Sequence, residues 1–244
     1  MLSGGPGGMR RGGQPEGARC VALTKPRRGH GVSVTAYYLG RALVERGLRV
    51  LLVDLTGRRE RLRGLLEREP IKNLGLWVPP FTRPEALPAL LQRARRETLG
   101  KVDVLLLDVD ASLLHSIGGL AAGIDYVTIF VEAGDTGLRD ADQLGVQFDQ
   151  TPPPYGRLGV ALCRIDASNA DDLPQQTPER RFPVLGGFPA DYLLAASDDY
   201  VVKDAEAKSP HDDYLIAIRQ LARALAEIVP LRRIISPAGT SASV

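Results

Sequence analysis

The residues whose types and spacing suggest chemistry lie in RRGHGVSVTA, Arg27 to Ala36, and near the ends of two later strand-like runs, at Asp54 and Asp108. A short apolar run, CVALT (Cys20–Thr24), precedes the loop and a helical pattern follows it. A strand, a glycine-rich turn and a helix opening on hydroxyl residues make an anion site, because backbone N–H groups and the helix N-terminus converge on one point. Gly29 and Gly31 permit close approach of the backbone, and Ser33 offers a hydroxyl suited to Mg²⁺. The same residues have a plainer reading: a tight turn at Gly29 and Gly31, a helix N-cap at Ser33, and caps or ion-pair partners at Asp54 and Asp108. Arg27 and Arg28 fit either a solvated face or a phosphate clamp.

Such a loop needs a rigid frame, and the chain has the pattern of one. Compact runs rich in leucine or β-branched residues alternate with helical patterns, as in parallel strands joined by crossover helices. The runs are Cys20–Thr24, Arg49–Leu55, Val102–Val109, Asp125–Val131, Arg157–Ile165 and Phe182–Phe188, and their unbroken apolarity predicts burial on both faces. Helices are predicted over Ser33–Arg46, with Gly47 as a left-handed cap, over Pro84–Arg96 and over Gly137–Phe148. A last helix carries the stripe Tyr214, Ile218, Leu221, Leu225 and Ile228 and stops at Pro230. The fold class is therefore α/β, a mostly parallel twisted sheet flanked by helices. Residues 1–18 read as a flexible Gly/Pro/Arg-rich leader, 19–230 as one α/β domain and 231–244 as a polar tail, with Thr151–Gly156 a rigid connector inside the domain.

Composition narrows the function classes. A chain of 244 residues with 44% apolar content can bury one sizeable core. Its 31 Lys and Arg nearly balance 29 Asp and Glu, so no global field points to nucleic acid or to a membrane. Cys20 and Cys163 fall in apolar runs and are expected to be buried free thiols. His30, His115 and His211 have no partners at metal-ligand spacing, which argues against a zinc enzyme. No apolar run approaches the roughly 20 residues that span a bilayer, and the first residues lack the apolar core of a secretory signal. A cytoplasmic location is expected.

The loop and its surroundings resemble the ParA/MinD family of deviant Walker ATPases, P-loop NTPases whose loop reads KGGxGKTT ahead of a helix and a strand ending in D-x-D. RRGHGVSVTAYYLGRALVERGLRVLLVDLT follows that layout without a gap. VDVLLLDVD resembles the family's Walker B strand, ending in Asp108; GIDYVTIFVEAGDTGLRDADQL resembles its next strand and helix; GVALCRID resembles its base-binding strand. The resemblance runs from Cys20 to about Ile228. It implies nucleotide-binding positions at Arg27, Gly29, Gly31, Ser33, Val34, Asp54, Asp108 and Pro189, and Mg²⁺ held by Ser33 and Asp54 where nucleotide binds. The implied cofactor is ATP or ADP with Mg²⁺.

Four positions depart from the family. Its signature lysine, which reaches across a dimer, falls on Arg27, and the lysine that holds the β and γ phosphates falls on Val32. The second Asp of D-x-D falls on Thr56, and the adenine-reading Asn falls on Cys163. Phosphoryl transfer depends on placed charges, so losses of this kind predict a pseudo-ATPase that binds nucleotide without turnover or holds none.

The role implied is a scaffold that positions or assembles a membrane-associated bacterial machine for secretion, pilus formation or polysaccharide synthesis. TadZ/CpaE-type localisation factors and the BcsQ-type proteins of cellulose secretion are members of this kind. The alternative is an active ParA-type ATPase for DNA or cargo segregation, with a basic footprint of only Arg219, Arg223, Arg232 and Arg233 diluted by neighbouring acids. DNA binding is therefore not expected. A membrane helix in IVPLRRIISP is too short between Pro230 and Pro237 for direct insertion. The expected partners are a second copy of the chain and a protein of the machine, which would hold the chain at the inner membrane peripherally.

Overall fold

The computed structural model describes residues 17–26, 31–56, 59–80, 84–116, 123–149, 158–165, 182–189 and 210–229. Arg27, Arg28, Gly29, His30, the connector 151–156, Pro230, Arg232 and Arg233 lie outside them. The strands are β1 (Arg19–Thr24), β2 (Val50–Asp54), β3 (Leu74–Trp77), β4 (Val104–Asp108), β5 (Tyr126–Glu132), β6 (Leu158–Ile165) and β7 (Val184–Pro189). The helices are α1 (Val32–Glu45), α2 (Arg59–Arg68), α3 (Leu87–Glu97), α4 (Ala111–Ser116), α5 (Asp135–Asp149) and α6 (Pro210–Ile228). A 3₁₀ turn, Pro84–Ala86, leads into α3.

All seven strands form one sheet in the order β3-β2-β4-β1-β5-β6-β7, and every neighbouring pair is parallel. β4 is buried along its whole length, as the apolar run predicts for a strand covered on both faces. Alternate residues of β1 sort to the two layers. Val21 and Leu23 pack with α1, α2 and α6, whereas Cys20 and Ala22 pack with α3, α4 and α5. Both cysteines are buried and in no disulfide, and burial pushes the Cys20 thiol up to about 12, so it stays protonated and inert.

Six of the strands coincide with predicted runs to within about two residues, the usual uncertainty of strand ends. β3 was not predicted because LGLW has four residues, contains Gly75 and is only partly buried at the sheet edge. Neither was α2, whose RERLRGLLER offers three apolar side chains among charges; Leu62, Leu65 and Leu66 are nevertheless the ones that dock on the sheet. The six-residue α4 is too short to show a period. Ala18, assigned by composition to the leader, is buried against the α3 and α5 layer.

The C-terminal stripe packs as predicted at Tyr214, Ile218, Leu221 and Leu225, but Ile228 is 43% exposed and Val229 turns inward instead. Gly47 takes φ 85° and ends α1 as predicted, donating to Val44 O while Leu48 N–H donates to Leu43 O. Tyr214 fastens α6 to the first turn of α1. Its hydroxyl donates to Thr35 Oγ1 at 3.2 Å, and Thr35 donates in turn to Gly31 O at 3.1 Å. Tyr214→Phe is expected to cost about 1 kcal/mol, the net value of one buried hydrogen bond. That corresponds to a fall in Tm of roughly 2–4 °C; an unchanged melting curve would show that the bond contributes nothing.

Candidate phosphate-loop site

β1 lies between β4 and β5, and the chain leaves β1 towards one layer, through α1, but leaves β4 towards the other, through α4. Where neighbouring strands send their connections to opposite faces, a crevice opens beyond their carboxyl ends. Into it points the start of α1. Gly31 sits at φ 63°, a left-handed conformation that suits glycine, and caps the helix without a side-chain bond. Ser33 is therefore inside the first turn, and its reading as the N-cap does not hold. The first intrahelical bond is Thr35 N–H to Gly31 O at 2.9 Å, so the N–H groups of Val32, Ser33 and Val34 have no acceptor within the helix.

Two carboxylates face this turn. Asp54 ends β2 and Asp108 ends β4, and the two are partners in the parallel register. Both are 2% exposed. Asp54 Oδ1 accepts the backbone N–H of Thr56 at 2.9 Å and its hydroxyl at 2.7 Å. Asp108 accepts the Ser33 hydroxyl. Oδ2 of each carboxylate is buried without a hydrogen-bond partner. Burial above all, with the charges of Asp54 and Asp110, pushes Asp108 up to about 6, while Ser33 and Lys25 act in the opposite direction.

Beyond the carboxylates the row continues across the sheet. Cys163 on β6 is 1% exposed and belongs to the core beneath α6. It is followed by Arg164 at φ 59°, whose guanidinium pairs with Glu132 at 2.8 Å. Pro189 closes β7, four strands from β4 and so about 19 Å away at the usual strand spacing.

Comparison with solved structures decides the architecture. A chain of the MinC:MinD cell division protein complex of Aquifex aeolicus matches 86% of this chain and 96% of its own, at a TM-score of 0.61 and 20% identity. A ParA family ATPase from Chlorobium tepidum matches 88% and 95%, at 0.54 and 18%. MinD complexed with Mg-ADP from Pyrococcus horikoshii matches 86% and 97%, at 0.58 and 18%. The chain has the ParA/MinD fold. No protein-family model matches it, and no curated protein is similar to it in sequence.

Within the ParA/MinD fold the predicted residues separate into three sets. Gly31, Ser33, Asp54 and Asp108 come together at the head of α1. Val34 is in the same turn with its side chain buried, so only its N–H faces the loop, and Pro189 lies far along the sheet edge. Arg27 and Gly29 fall outside the described residues. Val32, where the resemblance places the phosphate lysine, is 1% exposed and packs into the α1 and α6 core. Sequence reasoning missed Lys25. The only signal was its position one residue beyond β1, and that becomes meaningful once β1 is known to lie beside β4.

Proposed function

We propose that this chain is a ParA/MinD-like scaffold that does not turn over ATP and that positions or assembles a membrane-associated bacterial machine. Secretion, pilus formation and polysaccharide synthesis, cellulose included, are the processes in view. The observation that carries the reading is the burial of Val32: the residue at the head of the helix gives its side chain to the core and offers no charge to a phosphate. Phosphoryl transfer needs such a charge placed in advance.

Two neighbouring features agree with it. Thr56 spends its hydroxyl and N–H on Asp54, an arrangement that fixes the turn and puts no carboxylate at position 56 to orient a water. Cys163 is closed in the core, where it has no edge to offer a base. Ser33, Asp54 and Asp108 do suit a hard cation, since hydroxyl and carboxylate oxygens are the ligands Mg²⁺ prefers, and they are the residues that would hold it beside ADP or ATP. Bound Mg²⁺ would screen phosphate charge there; the chain's own contribution is the fixed placement of those oxygens.

The DNA-segregation alternative loses support at the two described arginines of its basic footprint. Arg219 lies 3.6 Å from Glu45 and Arg223 lies 3.0 Å from Glu227, so neither adds an uncompensated charge to the α6 face. No described helix is long and apolar enough to cross a membrane. We place the chain in the cytoplasm, as a homodimer, held at the inner membrane through a protein partner.

Phosphate release from ATP with Mg²⁺ tests the proposal. The purified chain is expected to stay at the buffer blank, with Asp54→Ala indistinguishable from it. Sustained turnover that Asp54→Ala abolishes would make it a working ATPase and end the scaffold reading in this form.

A further inference from the structure

The Asp54–Asp108 pair places two buried carboxylates side by side with one oxygen of each unpartnered, an arrangement that a positive charge close by stabilises once both acids are ionised. Among the described residues, Lys25 is the cation whose charge acts on Asp108. Leu23 of β1 is the register partner of Asp108, and Val109 N–H donates to Leu23 O at 3.2 Å, which holds the ends of β1 and β4 together. Lys25 is the first residue beyond β1, and continuing the strand alternation by that one residue puts it on the face of Leu23, which is the face of Leu52 and Leu106 and therefore of Asp54 and Asp108. Its charge acts on Asp108 in the direction that favours ionisation, against burial, Asp54 and Asp110.

We propose that Lys25 is a built-in counter-ion of the Asp54–Asp108 pair and competes with a divalent cation for the two free carboxylate oxygens. In this chain the charge leaves the head of α1, where Val32 is buried, and enters from the end of β1. An ammonium at this place offsets one of the two carboxylate charges without Mg²⁺ and without nucleotide, and a divalent ion must enter against its repulsion. The inference deepens the scaffold reading, because a site closed by its own lysine has no need of the nucleotide cycle.

Calorimetric titration of the full chain with Mg²⁺ alone, with no nucleotide present, tests it. Lys25→Met is expected to bind Mg²⁺ at least tenfold more tightly than the unmodified chain and to gain Tm on Mg²⁺ addition. Lys25→Arg is expected to behave as the unmodified chain does, and Lys25→Met with Asp108→Asn to lose the gain. Equal Mg²⁺ affinity in Lys25→Met and the unmodified chain would overturn the proposal, as would tight binding that survives Asp108→Asn. Lys25 is partly exposed, so Lys25→Met is expected to fold; should it not, Lys25→Gln removes the same charge with a polar side chain and gives the same readout. Since no nucleotide enters this titration, ATP turnover found separately would end the pseudo-ATPase reading and leave the role of Lys25 to be decided by Mg²⁺ alone.

Discussion

Asp108→Asn is expected to make the protein more stable at pH 8, by about 2–3 kcal/mol, and to leave it unchanged near pH 3.5. The reason is the position of the carboxyl, buried at the end of β4 beside Asp54, which lifts it from 3.8 to about 6. Between those two values the folded chain keeps a proton on Asp108 that the unfolded chain has released. Unfolding therefore releases a proton in that window, and stability falls as pH rises through it. A shift of about two units corresponds to about 3 kcal/mol lost above pH 6, which the amide would recover. Asn also keeps an acceptor for Ser33. Denaturant midpoints at the two pH values, measured in EDTA, check this: a gain at pH 8 corresponds to roughly 4–12 °C in Tm. A loss of stability at pH 8, or the same change at both pH values, would mean that the carboxylate is not the penalised group. Residues kept at a cost to stability are the ones function selects, so a stabilising Asp108→Asn would favour a working role for this site.

The opposite sign is expected at the other end of the sheet. Asp103, whose side chain is fully buried just before β4, accepts Arg49 N–H at 2.8 Å, Nε at 3.0 Å and Nη2 at 2.7 Å. Arg49 also donates to Gly100 O, and Asp103 O accepts Arg19 N–H at 2.9 Å, so one residue ties the beginnings of β1, β2 and β4. Asp103→Ala leaves a guanidinium and a backbone donor without their acceptor. Loss of one partner of a buried pair costs about 3–5 kcal/mol, and the 21% exposure of the Arg49 side chain puts the expected loss at the lower end, about 3 kcal/mol. Glu97→Ala, which opens the exposed Arg93–Glu97 pair, is the control and should not move the urea midpoint. If the two variants unfolded together, the Asp103 network would be decoration.

The two aspartates also show what could be read early. Asp54 and Asp108 stood out as acids closing apolar runs, and their depth in the sheet confirms the runs as strands buried on both faces. Gly47 was legible because a left-handed cap has a local residue preference, and the core stripe of α6 because a helix repeats its period over many residues. β3 and α2 were not, since LGLW is too short to show a period and α2 carries too few apolar side chains to stand out from a charged loop. Ser33 was legible as a hydroxyl at the right spacing, but whether it capped the helix or lay inside its first turn depended on the φ of Gly31.

By itself the sequence determined the alternation of strands and helices, the glycine turn between β1 and α1, and the absence of lysine at position 32. These are local properties of residue type and period. Only the tertiary structure decided where the freed position went and what lies near the acids: Val32 turns into the α1 and α6 core, and β1 enters the sheet beside β4, which brings the charge of Lys25 to act on Asp108. Residues so far apart along the chain meet only through strand order, which no local pattern encodes.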